Sequence, residues 1–462
     1  MKQKRYEVAR TFVGKYRMRR VALIGENSIQ YVNFLLDIWN SGECAVLVDW
    51  RIPLATAVEM MIEAKVSRCI IERNLFEQKR EIVPESIEFI TYEQKNGFAD
   101  KLPEEFYDRF QENYSNEEAL ILFSSGTTGH AKGVILSFYA INTNADSIIE
   151  YMKPQKDDCM YIGKALTHAS TLVGELLVAL KTRIKLVIAP TVVPPRFWIS
   201  NMMKFEVSII CLNPTLLSML SDEIRRKDCE IKFLRKVYVS GSVLSEHIYK
   251  KALDAFMTTK IYNVYGLSEA GPRVAAQREG CCKLNSVGHP IGGVKVQLRD
   301  GEKRIEKDNI IGSIYVNTPS LMLGYVSARK EFDEDGWFDT GDVGYLDNDE
   351  LFVVGRSDDI IINNSHNLYP YTVEKVINLH KDVDDCIVFM GHIRNNETLV
   401  CIYTGMNEVP ARELYTLCID KLAPYEIPRE YVYVSCFYKN KNGKIDRKGI
   451  IEAYERRKVE DE

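Results

Sequence analysis

The sequence predicts an α/β protein whose main part is built on parallel sheets. Over roughly the first 280 residues, short apolar runs alternate with stretches of helical periodicity, as parallel sheets covered on both faces require. The chain has 462 residues, of which 46% are apolar and 27% are charged. At roughly 100–200 residues per domain, this length predicts two to four domains with well-filled cores.

Each element of this region follows from a local pattern. Buried strands are predicted at the apolar runs Val21–Leu23, Ala45–Val48, Cys69–Ile71, Ala119–Phe123, Leu186–Ile188, Ser208–Ile210, Val237–Val239 and Ile261–Tyr265. Helices are predicted at Ile29–Asn40, Ala55–Glu63, Pro214–Leu220 and Ser245–Phe256. Beyond Gly280 the pattern changes to short alternating strands, clearest at Val294–Leu298, Gly312–Val316 and Leu351–Val354, which predicts a β-rich part. A further mixed unit of about 100 residues is expected after Arg356.

Composition and charge argue against several classes of function. The net charge of −5 is small for this length and gives no general argument for binding nucleic acid or an anionic membrane. The basic segment from Met1 to Arg20 lacks the apolar core of a secretory signal and is interpreted as a solvated helix face. No apolar run approaches the ~20 residues that span a bilayer. The 11 cysteines are scattered, so a cytoplasmic protein with reduced or buried thiols is expected.

The strongest local motif is a glycine- and hydroxyl-rich loop directly after the predicted strand Ala119–Phe123. It runs Ser124-Ser125-Gly126-Thr127-Thr128-Gly129-His130-Ala131-Lys132-Gly133. The glycines let the backbone turn tightly, hydroxyls and amides can donate to phosphate oxygens, and Lys132 adds a positive charge. Because Gly133 rather than Ser or Thr follows Lys132, the loop is not a Walker P-loop. It predicts a phosphate-binding turn of another kind.

Four further motifs follow this loop in an order typical of one enzyme family. They are Tyr265-Gly266-Leu267-Ser268-Glu269, Gly336-Trp337-Phe338-Asp339-Thr340-Gly341-Asp342, Gly355-Arg356-Ser357-Asp358-Asp359 and Asn442-Gly443-Lys444-Ile445-Asp446-Arg447. On these motifs the chain, from about Val21 to Ile450, resembles the adenylate-forming superfamily of acyl-CoA synthetases, peptide-synthetase adenylation domains and luciferases. In kind it resembles a stand-alone acyl- or aryl-acid ligase.

The resemblance implies an activity and a domain arrangement. The chain would activate a carboxylic acid with ATP to an acyl-adenylate, release pyrophosphate, and pass the acyl group to a thiol of CoA or of the phosphopantetheine on an acyl or peptidyl carrier protein. A large core would cover residues 1–357, with two parallel-sheet α/β subdomains to about residue 280 and a small β-barrel-like subdomain over about 281–357. A small, mobile α+β domain would cover 358–462 and swing about a hinge at Asp358.

Residue roles are carried over from the motifs one by one. Lys444 matches the lysine that bridges the substrate carboxylate and the α-phosphate, and Glu269 matches the Mg²⁺ ligand. Asp342 matches the aspartate that binds the ribose hydroxyls, Tyr265 the ring that packs on adenine, and Arg356 an arginine near ribose and phosphate. Taken singly, these residues have ordinary interpretations, such as a tail lysine, a turn or a core tyrosine. The order of the motifs favours the functional interpretation.

The resemblance therefore gives two residue sets. Catalysis is assigned to Lys444, Glu269, Thr128 and Lys132. The ATP site is assigned to Ser124, Ser125, Gly126, Thr127, Thr128, Gly129, Lys132, Ser240, Gly241, Asn263, Tyr265, Gly266, Ser268, Asp342, Arg356 and Lys444.

The acyl pocket is predicted around His168, where the family often has a histidine or an aromatic residue. Amino-acid-activating relatives usually carry an aspartate there to hold the α-ammonium group, so an aryl or aliphatic acid without an α-amino group is favoured. A packing role for His168 without a ligand is the alternative interpretation. The other predicted pocket residues are Met219, Val264, Gly266 and Val274.

One departure from the family pattern concerns the acceptor. Asn364 and Ser365 stand where the family commonly has a glycine pair along the route of the incoming thiol, and their side chains can narrow that route. The choice between CoA and a carrier protein therefore stays open. The same departure motivates a second hypothesis, a non-catalytic ATP-binding regulatory or partner subunit. A third, a luciferase-like oxygenase acting on an adenylate, is required by nothing in the sequence.

Overall fold

The computed structural model describes residues 20–77, 84–93, 98–124, 132–191, 193–280, 283, 285–327, 332–363, 366–393, 396–438 and 445–461. These residues form a mixed α/β fold in which two large, mainly parallel sheets are followed by an antiparallel sheet and a small C-terminal unit. The predicted fold class is thereby confirmed.

The first sheet has seven strands. In spatial order they are Gly324–Tyr325, Lys132–Ser137, Glu118–Ser124, Cys44–Val48, Arg20–Ile24, Arg68–Glu72 and Glu88–Tyr92. The last five pair in parallel, whereas the first two are antiparallel additions at one edge. Alternate residues serve opposite faces: Leu23 packs in the same cluster as the helix Ile29–Asn40, and Ile24 packs with the helix Leu54–Glu63. Burial on both faces explains the near-continuous apolar runs.

The second sheet has eight strands, of which the five central ones are parallel. In spatial order they are His289–Pro290, Ala275–Ala276, Lys260–Tyr265, Lys236–Val239, Ile209–Leu212, Cys159–Ile162, Lys185–Ile188 and Asp100–Lys101. One face packs on the helices Pro195–Lys204, Pro214–Lys227 and Glu246–Phe256. The other face joins the cluster that also covers the first sheet, through the helix Phe138–Met152 and the turns after His168.

Most predicted helix and strand ends shift by one or two residues, and two of the differences have a local cause. The strand predicted at Ser208–Ile210 lies at Ile209–Leu212, because the Ser208 hydroxyl donates to Asp158 instead of joining a strand face. The helix predicted to end at Leu220 continues to Lys227, since Ile224 keeps one apolar position on its buried face. It ends at Asp228, whose φ of 46° is left-handed.

A third sheet and several short helical segments complete the part of the chain before the C-terminal unit. The third sheet is antiparallel and consists, in spatial order, of Lys303–Ile305, Lys295–Asp300, Gly312–Asn317, Phe338–Asp347 and Glu350–Arg356. The other helical segments are Arg73–Glu77, Glu104–Arg109, Ala169–Thr171, the π-helical turn Leu172–Leu177, Val178–Thr182 and the 3₁₀ turns Ser268–Ala270 and Ser357–Asp359.

The C-terminal unit has its own apolar clusters. A hairpin of Ile361–Asn363 and His366–Leu368 precedes a sheet of Asp385–Ile393, Asn396–Thr404 and Glu430–Tyr433. Val388 packs in a cluster on one face of this sheet, and Phe389 packs in another on the opposite face. The helical segments are Pro370–Ile377, Ala411–Ile419, Pro424–Glu426 and Arg447–Asp461. Among the residues described across the whole chain, no helix combines the length and apolarity needed to cross a bilayer.

Candidate active site

The predicted phosphate loop leaves the first sheet and returns to it at the same point. Its first strand ends at Ser124 and its return strand begins at Lys132, and these two residues are paired opposite each other. Ser125, Gly126, Thr127, Thr128 and Gly129 lie outside the described residues. The two described ends of the loop are therefore held opposite each other by a hairpin.

Three side chains from distant segments meet beside the end of this loop. The Lys132 ammonium lies 5.2 Å from the centre of the Tyr325 ring, on the strand that pairs with Lys132–Ser137. The Tyr325 hydroxyl donates to Oε1 of Glu269 at 3.1 Å. Glu269 is half-buried in the turn Ser268–Ala270, and its carbonyl accepts from Met322 N at 2.8 Å. A cation and a carboxylate are thus placed on either side of one tyrosine at the loop exit.

A second group is centred on Asp342, in the strand Phe338–Asp347. Its Oδ2 accepts from the Tyr265 hydroxyl at 2.6 Å, and its Oδ1 accepts from Nη1 of Arg356 at 3.2 Å. Arg356 also donates to the carbonyl of Thr340 at 2.9 Å. Burial, reinforced by the Asp342 carboxylate, raises the pKa of Tyr265 well above its ordinary value, so its hydroxyl stays a donor. Burial lowers the pKa of Arg356, but the Asp342 carboxylate outweighs it and the pKa is raised.

The two groups are joined by the short segment from Tyr265 to Glu269. Tyr265 ends the strand Lys260–Tyr265, and Glu269 lies in the turn that follows. Ser268 opens this turn, and its carbonyl accepts from Gly271 N. Gly266 lies between Tyr265 and Glu269. A Cβ on Gly266 would lie 1.9 Å from the carbonyl oxygen of Pro272, so only glycine fits. The segment therefore fixes the spacing between the tyrosine and the glutamate.

Three further residues predicted to bind the nucleotide lie in or directly after neighbouring strands of the second sheet. Ser240 and Gly241 directly follow the strand Lys236–Val239, at the same carboxyl edge as Tyr265. Gly241 has a φ of 100°, a conformation that favours glycine. Asn263 lies inside its strand, and its side-chain amide donates to the carbonyl of Ser286 at 3.1 Å. Its assignment to the ATP site stays a prediction.

The predicted acyl-pocket residues occupy different environments. Val264 and Val274 are buried, and Val274 N donates to the carbonyl of Tyr265 at 2.9 Å. His168 is half-buried and immediately precedes the turn Ala169–Thr171. Met219, by contrast, is 42% exposed on the helix Pro214–Lys227. The structure brings Val274 next to Tyr265, and the pocket roles of all these residues stay predictions.

His168 faces an ion pair at the carboxyl edge of the first sheet. Asp49 follows the strand Cys44–Val48 and accepts from the Arg51 guanidinium through both oxygens, at 2.9 and 2.5 Å. Burial opposes ionisation of Asp49, but Arg51 and then His168 outweigh it, and the pKa of Asp49 is lowered. His168 therefore acts together with Arg51 in favouring the ionised form of Asp49.

Lys444 lies outside the described residues, but the chain that follows it is firmly held. Arg447 donates to Oε1 of Glu374 at 2.7 Å and to the carbonyl of Val388 at 3.0 Å. Asp446 N donates to the carbonyl of Tyr438 at 2.8 Å. The predicted hinge residue Asp358 lies in the turn Ser357–Asp359, with one oxygen 3.9 Å from Nη2 of Arg356. Asn364 and Ser365 also lie outside the described residues.

Sequence reasoning missed two residues of this site. Tyr325 lies in a two-residue strand and gives no signal in the sequence, whereas Thr340 lies in a quoted motif but acts through its backbone carbonyl, which residue identity does not reveal. A glycine–tyrosine pair is common in turns and edge strands, and it gives no signal without its pairing partner.

The donor set near Glu269 fits Mg²⁺. Within the described ranges, no three His, Cys, Asp or Glu side chains converge into a preformed metal cage. Mg²⁺ is commonly held by one or two carboxylates together with substrate phosphates, which a single glutamate near a phosphate loop can provide. The Tyr325 hydroxyl uses one lone pair of the Glu269 carboxylate, and further lone pairs can bind a cation.

Comparison with known proteins places this geometry in context. The profile of the family described as AMP-binding enzyme matches residues 10–326. The fatty acid–acyl-carrier-protein ligase ScoC of Streptomyces coeruleorubidus is 27% identical over 94% of this chain and 86% of its own. The 2-succinylbenzoate–CoA ligase of Bacillus cereus strain Q1 is 26% identical over 96% and 90%. ATP-bound MatB of Rhodopseudomonas palustris superimposes with a TM-score of 0.85 at 19% identity, covering 98% of this chain and 92% of its own.

Proposed function

Because this chain belongs to the AMP-binding enzyme family, we propose that it is an ATP-dependent acid–thiol ligase. It activates a carboxylic acid to an acyl-adenylate with release of pyrophosphate, and then transfers the acyl group to a thiol. The ligases for fatty acids and for 2-succinylbenzoate among its relatives support this reaction class.

One observation carries the proposal to the level of residues. Two groups of side chains stand at the two ends of one short segment, beside the exit of the glycine-rich loop. The first consists of Lys132, Tyr325 and Glu269, and the second of Tyr265, Asp342 and Arg356. The first group offers positive charge and a carboxylate, as phosphates and a divalent cation require. The second offers a carboxylate held by two donors and an aromatic ring, as a ribose diol and a purine require.

The chemistry of the first step follows from charge. The substrate carboxylate and the α-phosphate are both negative, so their approach needs cations at the reacting oxygens. We assign this role to Lys444 on the C-terminal unit and to Lys132 at the loop exit. Glu269, together with the phosphates of ATP, would hold Mg²⁺, which would neutralise part of the phosphate charge. Arg447, fixed by Glu374, holds the segment that carries Lys444.

The class of acid is proposed from the predicted pocket, and the acceptor is proposed from the relatives. His168 is a poor partner for an α-ammonium group, so we propose an acid without an α-amino group. The acceptor is a thiol of CoA or of carrier-protein phosphopantetheine, as the names of the two relatives illustrate.

The test is acid-dependent pyrophosphate release by the purified full-length protein with ATP and Mg²⁺. A broad panel of aryl, short aliphatic and long-chain acids is screened first. The best acid is then offered with CoA or with phosphopantetheinylated carrier proteins, and the thioester is sought by mass spectrometry. ATP binding without pyrophosphate release for every acid would contradict the proposed activity.

Tyr325→Phe is expected to lower kcat/KM for ATP by roughly 3–30-fold, because one hydrogen bond to the Glu269 carboxylate is lost while the ring near Lys132 is kept. The Mg²⁺ concentration for half-maximal activity should rise. Pyrophosphate release is measured over a Mg²⁺ titration, with the exposed Tyr139→Phe as the matched control. Equal effects of the two substitutions would remove Tyr325 from the site.

Asp342→Asn is expected to raise KM for ATP by roughly 10–100-fold with a smaller change in kcat. The amide has one acceptor oxygen where the carboxylate has two, and Tyr265 and Arg356 already use both. Steady-state kinetics with varied ATP gives KM and kcat separately, and the exposed Asp222→Asn serves as control. An unchanged KM for ATP would contradict the ribose assignment.

A further inference from the structure

A buried group of three charged side chains lies beside the predicted acyl pocket. The Lys164 ammonium lies 3.0 Å from Oε1 of Glu175, and a Cβ on Gly174 would lie 3.3 Å from Nη2 of Arg273. Glu175 is fully buried, Arg273 is 2% exposed, and 13% of the Lys164 side chain is exposed. We call Lys164, Glu175 and Arg273 the buried charge group.

Local backbone geometry and hydrogen bonds position the residues of this group. Glu175 lies in the π-helical turn Leu172–Leu177, a geometry frequent at functional sites. Asn144 fixes Arg273 by accepting from its backbone N at 3.0 Å and donating to its carbonyl at 2.9 Å. Lys164 stands two residues beyond the strand Cys159–Ile162, at the carboxyl edge that leads to His168.

The charges within the group do not balance. Two cations share one carboxylate, which leaves a net positive charge in a buried place, and such a charge is costly without an anion. The Nε of Arg273 is buried and has no hydrogen-bond partner among the described residues. Burial raises the pKa of Glu175, although Lys164 and Arg273 oppose this. The group is therefore incomplete as an isolated ion pair.

The group also borders the predicted pocket directly. Arg273 is the chain neighbour of Val274, and its Cα would lie 3.0 Å from a Cβ on Gly266. Gly266 and Val274 are both predicted pocket residues, so the backbone of Arg273 lies beside the predicted pocket. On the other side, the space between the π-helical turn and the second sheet is filled by buried Leu172, Leu176 and Tyr238.

From this geometry we infer that the acid substrate carries a second anionic group, a second carboxylate, which Lys164 and Arg273 receive in the acyl pocket. The inference rests on the proposed function and adds the class of acid to it. One carboxylate of a compact diacid meets ATP, and the other neutralises the excess charge of the buried group. The filled space behind the group favours short or aryl skeletons over long alkyl chains.

The experiment compares each diacid with the monoacid in which a methyl group replaces the second carboxylate. Butanedioate is paired with butanoate, and benzene-1,3-dicarboxylate with 3-methylbenzoate. For the best pair, kcat/KM for pyrophosphate release should favour the diacid by about 100-fold or more, because a site built for a polar group rejects the analogue that lacks it. Preference for a monoacid or for a long alkyl acid would overturn the inference.

Substitutions test whether the buried charge group causes the preference for the diacid over the monoacid. Arg273→Met should lower the diacid-to-monoacid ratio by at least about tenfold, and Lys164→Met serves in the same way if the Arg273 variant fails to fold. The control is Arg225→Met, an exposed arginine paired with Asp254, which should leave the ratio unchanged. A ratio insensitive to both Arg273 and Lys164 would show that the group is only a structural ion pair.

A binding measurement separates this inference from the proposed activity. Thermal unfolding of the wild-type protein is followed with each diacid or its matched monoacid, in the presence of AMP. A larger rise in Tm with the diacid supports the inference even if no acid releases pyrophosphate. An equal or smaller rise with the diacid counts against it even if adenylation is observed.

Discussion

Lys444→Ala is expected to reduce acid-dependent pyrophosphate release by about 1,000-fold, while transfer from a supplied acyl-adenylate to the thiol changes by less than about threefold. The ammonium is needed only while the carboxylate and the α-phosphate approach each other. Once the adenylate exists, that pair of negative oxygens no longer has to be brought together. The two steps are measured separately, with pyrophosphate release for the first and thioester formation from synthetic adenylate for the second.

The matched control for this prediction is Lys448→Ala. Lys448 is the second residue of the helix Arg447–Asp461, its side chain is 84% exposed, and it lies 3.9 Å from Glu452. The substitution removes the same charge from the same region and should leave both steps close to wild type. If Lys444→Ala impaired both steps equally, the division of labour between adenylation and transfer would be wrong.

Glu269→Gln is expected to lower kcat for pyrophosphate release by about 100-fold at low Mg²⁺. The substitution keeps an oxygen that can accept from Tyr325 but removes the charge that a hard cation requires. Raising Mg²⁺ should restore part of the activity, whereas removing Mg²⁺ with EDTA should abolish activity in both proteins.

The control for the glutamate is Glu59→Gln, an exposed position on the helix Leu54–Glu63. It should show the Mg²⁺ dependence of the wild-type protein. The decisive quantity is the Mg²⁺ concentration at half-maximal rate. An identical value for Glu269→Gln and wild type would mean that Glu269 is not the ligand.

The parts of the fold that the sequence predicted well are those with strong local patterns. The central parallel strands and the helix Ile29–Asn40 follow from apolar periodicity, because both faces of the sheets are buried. The edge strand Gly324–Tyr325 was not predicted, since its pairing depends on a partner far along the chain, and the adjacent strand Lys132–Ser137 was not predicted either. Short edge elements carry too few residues for a periodic signal.

The residues of the candidate site were likewise predicted only where they lie in a strong sequence motif. Residues inside motifs, such as Tyr265, Asp342 and Arg356, were predicted and are in mutual contact in the structure. Their mutual hydrogen bonds were not predicted, because the motifs give residue identity without geometry. Lys164, Glu175 and Arg273 gave no signal at all. A charged residue in a sequence is normally solvated, and only the folded chain reveals that these three are buried together.

The two-residue strand Gly324–Tyr325 has a consequence for how the chain can be divided. It closes the edge of the first sheet by pairing with Ile135 and Val134, although most of the second sheet lies between them in the chain. A fragment that stopped before residue 324 would leave the strand Lys132–Ser137 with unpaired backbone groups, which invites aggregation. Such a fragment would also lack the tyrosine beside Glu269. Expression trials of shortened versions should therefore keep everything through Val326, whose backbone N donates to the carbonyl of Gly133.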